Sequence, residues 1–516
     1  MKPESFLRGA MVLTIAGVVV KLLGAVYRIP FTRIAGSEGI GLYQMAYPIY
    51  VALLSLSTAG IPVALSFLIA ERGAAGDRHG ARQVFSVSLI FLFCLGGILT
   101  AGLFYISPFL AQRVLGDTRA YYSLIAVAPA VFIISVASAF RGYFQGWRLM
   151  WPTAVSEVVE QVIRVGTVLL AAQALMSRGV EYAAAGAAFG TFTGGCAGLC
   201  LLTLVYLWFK RQGSSVAAAR REPPLRLGKA LQILKRLIAY AFPISAGSLV
   251  LPLVQVIDTV IIPKRLQTVG FTVQEATSQF GQLSGMAGTV VYLPAALTVS
   301  IAMTLVPHLA AAVSRNNRSE VHRRINTALR ITFILCLPAA AGLMLLATPI
   351  MELLFDDSCA GAVTAWLAPA ALFTGLQQTT AGALQGLGNT WLPVVNLMAG
   401  CLVKVFCNYY LTVIPGFGIK GAALGSTLGF LLVFLLNIFW LTRLTDYRPR
   451  IGILLRPLLA VTIMIMVIPA IYTIFASLGN LMATGLTITC GAVCYFAVLL
   501  VTKEIRVYEM RYFFRR

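Results

Sequence analysis

The sequence predicts an all-α polytopic membrane protein of 14 transmembrane helices: two six-helix lobes related by pseudo-two-fold symmetry, followed by two further helices. Three observations carry this. Hydrophobic residues fill 59% of the 516 positions and charged residues only 11%, more apolar surface than a soluble chain of this length can bury. A segment recurs: Gln145-Gly146 with Trp151-Pro152 four residues on returns as Gln385-Gly386 with Trp391-Leu392-Pro393, an offset of about 240 residues (145 to 385). Gly179, Gly186 and Gly190 echo likewise in Gly418, Gly425 and Gly429. Such a duplicated apolar chain reads as two membrane bundles around a central site. Finally, most of the 40 Lys and Arg fall on alternate loops, among them Arg72, Arg78, Arg82, Lys210, Arg211, Arg315, Arg318, Arg323, Arg324, Arg515 and Arg516. This positive-inside pattern predicts that both termini lie on the cytoplasmic side of the membrane.

Taken in order, the apolar spans run over 9–34, 40–70, 84–111, 120–146, 150–176 and 181–209 in the first lobe (1–209). A polar, basic stretch at 210–236 is the cytoplasmic linker. The second lobe (237–442) holds 237–262, 280–312, 325–348, 361–385, 389–414 and 419–442. Residues 443–516 supply spans 451–476 and 480–502 and a basic tail. Each lobe has an even number of spans, so the lobes are parallel repeats about an axis along the membrane normal. The first span lacks a small-residue cleavage site and reads as retained. The net charge of +22 reports topology and attraction to anionic membrane lipids rather than nucleic acid. Cys196/Cys200 and Cys490/Cys494 are packing pairs on apolar helices, not a metal set. No zinc-protease, nucleotide-binding or dinucleotide motif is present, so no enzyme activity and no resident cofactor or metal is expected.

What the sequence does offer is intramembrane charge, which is costly in hydrocarbon and by default faces a partner or a wet cavity. Span 1 carries Lys21 and Arg28, two turns apart and hence on one face; Arg28 also reads as a side chain snorkelling to the outer headgroups. Span 5 carries Glu157, Glu160 and Arg164 on one face, where Glu160 and Arg164 also have the spacing of a self-neutralising pair. Span 7 carries Asp258 and span 11 carries Lys404, which the repeat offset aligns with Arg164. Tyr43, Tyr47 and Tyr50 fit a cavity lining or an interfacial belt equally well. Gln377, Gln378, Asn396 and Asn408 read as interhelical hydrogen bonders. Cations exceed acids in this set, which favours an anionic, phosphate-bearing ligand.

The runs VVKLLGAVYRIPFTRIAG, RGYFQGWRLMWPTAVSEVVEQVIRV and ALQGLGNTWLPVVNLMAGCLVKVFCNYYL, with GIKGAALGS and Leu305-Val306-Pro307, together resemble the stage V sporulation protein B branch of the polysaccharide-transport proteins. That branch is similar to the MurJ-type lipid II flippases within the multidrug/oligosaccharidyl-lipid/polysaccharide exporter superfamily. The resemblance spans essentially the whole chain. It implies a V-shaped central cavity between the lobes, a lipid-tail groove beside the last two helices, and an undecaprenyl-pyrophosphate-linked saccharide, lipid II, as substrate. It implies that Lys21 and Arg28 hold the pyrophosphate; the basic position of the second helix in MurJ-type flippases has no counterpart in 47–62. Alternatives in the same superfamily are a flippase for another lipid-linked polysaccharide and a cation-coupled drug or metabolite exporter. H+, Na+ or the membrane potential would supply the coupling, and cell-wall or spore-cortex synthesis machinery would be the protein partners.

Overall fold

The computed structural model describes residues 6–58, 60–213, 227–447 and 452–502. Part of the basic linker (214–226) and the tail with Arg515 and Arg516 lie outside the described residues. Among the described residues every regular element is helical. The first eight long elements are α1 (Phe6–Val26), α2 (Arg28–Thr58), α3 (Ile61–Ala74), α4 (Arg78–Phe109), α5 (Ala120–Gly146), α6 (Trp151–Leu175), α7 (Val180–Gly213) and α8 (Leu227–Thr268). There follow α9 (Val273–Phe280), α10 (Gly288–Val291), α11 (Leu293–Ser314), α12 (Arg318–Leu345), α13 (Ala347–Phe355), α14 (Ala360–Leu367) and α15 (Pro369–Gly386). The chain closes with α16 (Trp391–Leu411), α17 (Ile419–Thr445), α18 (Gly452–Phe475) and α19 (Asn480–Val501).

Twelve described segments are long and apolar enough to cross a membrane. One of them, Met11–Ala74, runs 64 residues. At 1.5 Å per residue that is roughly 96 Å, against about 30 Å of hydrocarbon, so it makes more than one crossing. Its breaks are at Tyr27, at Gly36 (φ 68°), and between α2 and α3. Twelve segments meet the criterion among the described residues; the count of fourteen spans is the sequence's expectation.

Contacts divide the chain into two compact units, Met1–Lys264 with Val273–Gly281, and Arg265–Thr272 with Gln282–Arg516. In the first, α5 runs buried between α2, α3, α4 and α7, because its Ala and Ser side chains let neighbours approach closely. Leu65, Phe85, Phe140 and Phe144 form its core. The sequence assigns the helix after the linker to the second lobe, beginning at 237, but contacts keep most of α8 with the first unit. Ile233, Leu237 and Ala241 join the same core, and Arg236 pairs with Glu71 at 3.0 Å. A Cβ on Gly60 would lie 2.1 Å from the Ala241 carbonyl oxygen, so the two backbones touch. The short helix α9, which the sequence reading leaves between spans 7 and 8 of the second lobe, also packs on the first unit. Thr277 donates to the Asp117 carboxylate (2.8 Å) and Ser37 bonds Ser278 (2.6 Å).

The second unit repeats the arrangement. The pairs α3·α4, α3·α5, α4·α5, α5·α7 and α6·α7 have counterparts in α11·α12, α11·α15, α12·α15, α15·α17 and α16·α17. The duplication seen in sequence is therefore a duplication of packing. Polar side chains bridge its helices as expected: Thr298 donates to Gln378 (2.6 Å), Asn396 to Asn437 (2.8 Å), and Asn437 to Thr380 (3.0 Å). The paired helices α18 and α19 pack against α12.

In the loop before α4, Asp77 accepts the Gly80 N–H at 2.7 Å and pairs with Arg72 at 3.0 Å, which caps the helix. The Gly80 N–H first, and Arg72 second, hold its carboxyl below the usual carboxylate range. The stabilisation is thus complete at neutral pH and lost only as pH falls through that lowered value. Asp77→Ala is expected to lower stability by about 0.5–2 kcal/mol. Thermal unfolding at pH 7 checks the loss, and the difference from wild type should shrink in strong acid.

Candidate functional site

The i, i+3, i+4 spacing of Glu157, Glu160 and Arg164 puts all three on one face of α6. Glu160 is the hub. Its Oε1 accepts from Arg164 Nη2 at 2.6 Å and its Oε2 from Arg141 Nη2, on α5, at 2.7 Å. The three side chains are only 12–15% exposed. One carboxylate thus serves two guanidiniums, each by a charge-assisted hydrogen bond. Glu157 interacts electrostatically with Arg141 and Glu160. The self-neutralising pair expected from spacing does form, but Arg141 converts it into a triad with a cation in excess.

Above the triad runs a column of tyrosines on α2. Tyr43 stacks on Tyr47 (centroids 5.5 Å apart), Tyr47 meets Tyr50 (5.8 Å), and Tyr43 bonds Tyr27 through their hydroxyls (3.0 Å). Their i, i+4, i+7 spacing places them on one face, and Tyr43 and Tyr50, each 2% exposed, are buried rather than set in an interfacial belt. Arg28 interacts with Tyr27, Tyr43 and Tyr47, and Arg164 with Tyr43, Tyr47 and Tyr50. The column therefore links the two cations, one at each end.

Of the residues singled out in the sequence, Glu160 and Arg164 bond directly, Glu157 interacts with Glu160, and Arg28 shares Tyr43 and Tyr47 with Arg164, all in the first unit. Lys21 does not join them. It is exposed on α1, whereas Arg28 is partly buried; the helix breaks at Tyr27, so a two-turn spacing does not give both the same surroundings. Asp258 is buried on α8 (8% exposed). Lys404 lies partly buried on α16 of the second unit. Arg141 and the tyrosine column complete the site. The available signal for Arg141 was a further cation inside the apolar span 120–146.

Arg164 and Lys404 are seated alike. A Cβ on Gly190 would lie 3.0 Å from the Arg164 oxygen, and one on Gly194 3.0 Å from the Arg164 Cβ. Gly425 stands likewise 3.3 Å from the Lys404 oxygen and Gly429 3.1 Å from its Cβ. By contact, Gly190 corresponds to Gly425 and Gly194 to Gly429, one turn away from the sequence match. The glycines recur every fourth residue, so sequence alone reads the ladder in either register. The shift arises because α16 ends at Leu411, and irregular turns replace the last turn of α6.

Two similarly packed units, helical throughout the described elements and with charge enclosed among apolar spans, define the class as multi-pass membrane transporters. Within that class the chain belongs to the polysaccharide biosynthesis protein family, whose family model matches residues 6–313; a second family model, MatE, matches 243–410. It is 30% identical to stage V sporulation protein B of Bacillus subtilis (strain 168), over 99% of this chain and 98% of that protein. It is 28% identical to the lipid II flippase MurJ of the same organism, over 87% and 84%. Among solved structures, its fold is similar to the inward closed conformation of lipid II flippase MurJ, with TM-score 0.72, 15% identity, and coverage of 96% and 99%. It is also similar to the inward-facing conformation of a multidrug resistance MATE family transporter, with TM-score 0.69, 19% identity, and coverage of 84% and 97%.

Proposed function

We propose that the protein is a flippase that carries an undecaprenyl-pyrophosphate-linked cell-wall precursor, lipid II, from the cytoplasmic to the outer leaflet of the bacterial plasma membrane. Transport is by alternating access through a cationic cavity. The observation that carries this reading is the excess of guanidinium over carboxylate in the first unit: Arg28, Arg141 and Arg164 against Glu157 and Glu160, on elements joined by the tyrosine column. A diphosphate headgroup matches such a set, since Arg binds phosphate oxygens through paired N–H donors, while the polyprenyl tail stays in lipid. The names of the relatives support the lipid-linked class. A site for cationic drugs would have the opposite bias.

In this reading Arg28 and Arg164 contact the pyrophosphate, Lys21 meets the headgroup as it enters, and Lys404 is the second unit's own cation for the same class of ligand. Asp258, Glu157 and Glu160 are the carboxylates through which H+ or Na+ would couple, with the membrane potential acting on the cations directly.

The test is headgroup access in sealed vesicles. Purified protein is expected to speed exposure of lipid II to an external reagent. Arg28→Ala and Arg164→Ala are each expected to slow it about 10-fold or more, the worth of a hydrogen bond to a charged group. Full activity in both variants would sink the reading. Export of a cationic dye without lipid II movement would select the exporter instead.

A further inference from the structure

We propose a second anion site, at the corner of the first unit where α3, α4, α5 and α7 end, that holds the phosphate of an anionic phospholipid headgroup. The corner contains a cavity of ≈ 640 Å³, a volume typical of ligand sites. Arg78 and Arg82 line it from α4, Arg148 from the turn after α5, and Lys210 from α7, with Trp147 and Tyr206 as aromatic walls. Neither Asp nor Glu is among the described residues lining it. It lies at the end of the unit that carries the basic loop 71–82, where basic pockets between membrane helices meet anionic headgroups and aromatic rings sit at headgroup depth.

The repeat supplies an internal control. The same corner of the second unit is closed by its own chain. Tyr447 fills it, 1% exposed; its hydroxyl donates to Asn326 at 2.6 Å and its ring meets His322, the counterpart of Arg82, at 5.7 Å. Arg318, the counterpart of Arg78, pairs with Asp446 at 2.8 Å. Gly388 takes the left-handed turn there with φ 87°, but at the matching position the first unit places Arg148 with φ 59°. That backbone conformation favours glycine and strains an arginine. Among the described residues, the corner is thus closed by its own chain in the second unit, while in the first it forms a cavity with Arg148 at its rim in a backbone conformation that favours glycine.

The full-length protein in a neutral detergent, titrated with phosphatidylglycerol, phosphatidylcholine or inorganic phosphate and followed by thermal unfolding, tests this. Phosphatidylglycerol is expected to raise the unfolding temperature, with phosphatidylcholine inert and inorganic phosphate far weaker at equal phosphate concentration. Arg148→Gly, which adopts the residue of the twin turn, should fold at least as well without lipid. It should need about five-fold more phosphatidylglycerol for half effect, the equivalent of the ~1 kcal/mol gained by one cation at an anionic surface. Arg318→Gln should leave the response unchanged. An equal response to phosphatidylcholine, an unaltered response in Arg148→Gly, or an equal loss in Arg318→Gln would overturn the site. Inorganic phosphate acting as strongly as the lipid would overturn the lipid assignment in favour of a soluble phosphate compound.

Discussion

Glu160→Gln is expected to destabilise the protein by about 3–5 kcal/mol, because it removes the anion that two enclosed guanidiniums share. Arg141 and Arg164 would then confront each other with a neutral amide between them, and neither can lose its proton. Replacing the whole triad is a different experiment. Arg141→Met, Glu160→Leu and Arg164→Met together remove the three charges of the triad and keep similar volumes. Buried ion networks exchanged in this way are often neutral or stabilising, so the triple variant is expected to unfold near the wild-type temperature. It should nonetheless lose lipid II exposure in vesicles, since the cation excess is gone. Stability and transport thus part company: the single variant fails by unfolding, the triple by losing its ligand contacts. A triple variant that is folded and fully active would show the triad to be packing alone, and a Glu160→Gln variant with wild-type stability would show that the two hydrogen bonds carry no weight.

The triad also marks how far the sequence could be read. Glu160 and Arg164 are neighbours by helical periodicity, which a one-dimensional reading detects. Arg141 reaches the same carboxylate from another helix, 19 positions away, and no periodicity connects them. The order of spans and the duplication were legible because apolar length and the Gln-Gly…Trp…Pro repeat are local patterns. The seam between the units was not. The sequence places it at the polar linker, where composition changes. The contacts place α8 and α9 with the first unit, because Gly60, Glu71, Ser37 and Asp117 offer close approaches or hydrogen bonds that no composition signal announces. Lys21 and Arg28 show the same limit within a single segment, since a break at Tyr27 separates residues that an unbroken helix would align.

Gly194→Leu is expected to be the most damaging single change on α7. Even a Cβ there would lie 2.5 Å from the Glu160 carbonyl oxygen and 3.0 Å from the Arg164 Cβ. These are backbone and stem atoms of α6, which cannot swing aside as the tip of a long side chain can. α6 and α7 pack along much of their length, so room for a leucine must come from separating the helices. Small residues are what permit such close helix approach in a membrane, and overpacking of this kind costs about 1–3 kcal/mol or more. The displacement falls on the turn that holds Glu160 and Arg164, so transport should fail even in protein that survives extraction. Gly97→Ala is the control. Nothing lies within 4 Å of its notional Cβ on α4, and in a helix interior that exchange alone is favourable by roughly 0.5–1 kcal/mol. Gly429→Leu, against the Gly400 oxygen (2.8 Å) and the Lys404 Cβ (3.1 Å), should reproduce the Gly194 defect in the second unit. If Gly194→Leu and Gly97→Ala unfold alike, close packing of α6 on α7 does not set the position of the cation site. If only Gly194→Leu and Gly429→Leu fail, the glycine ladder is the device by which each unit seats its cation.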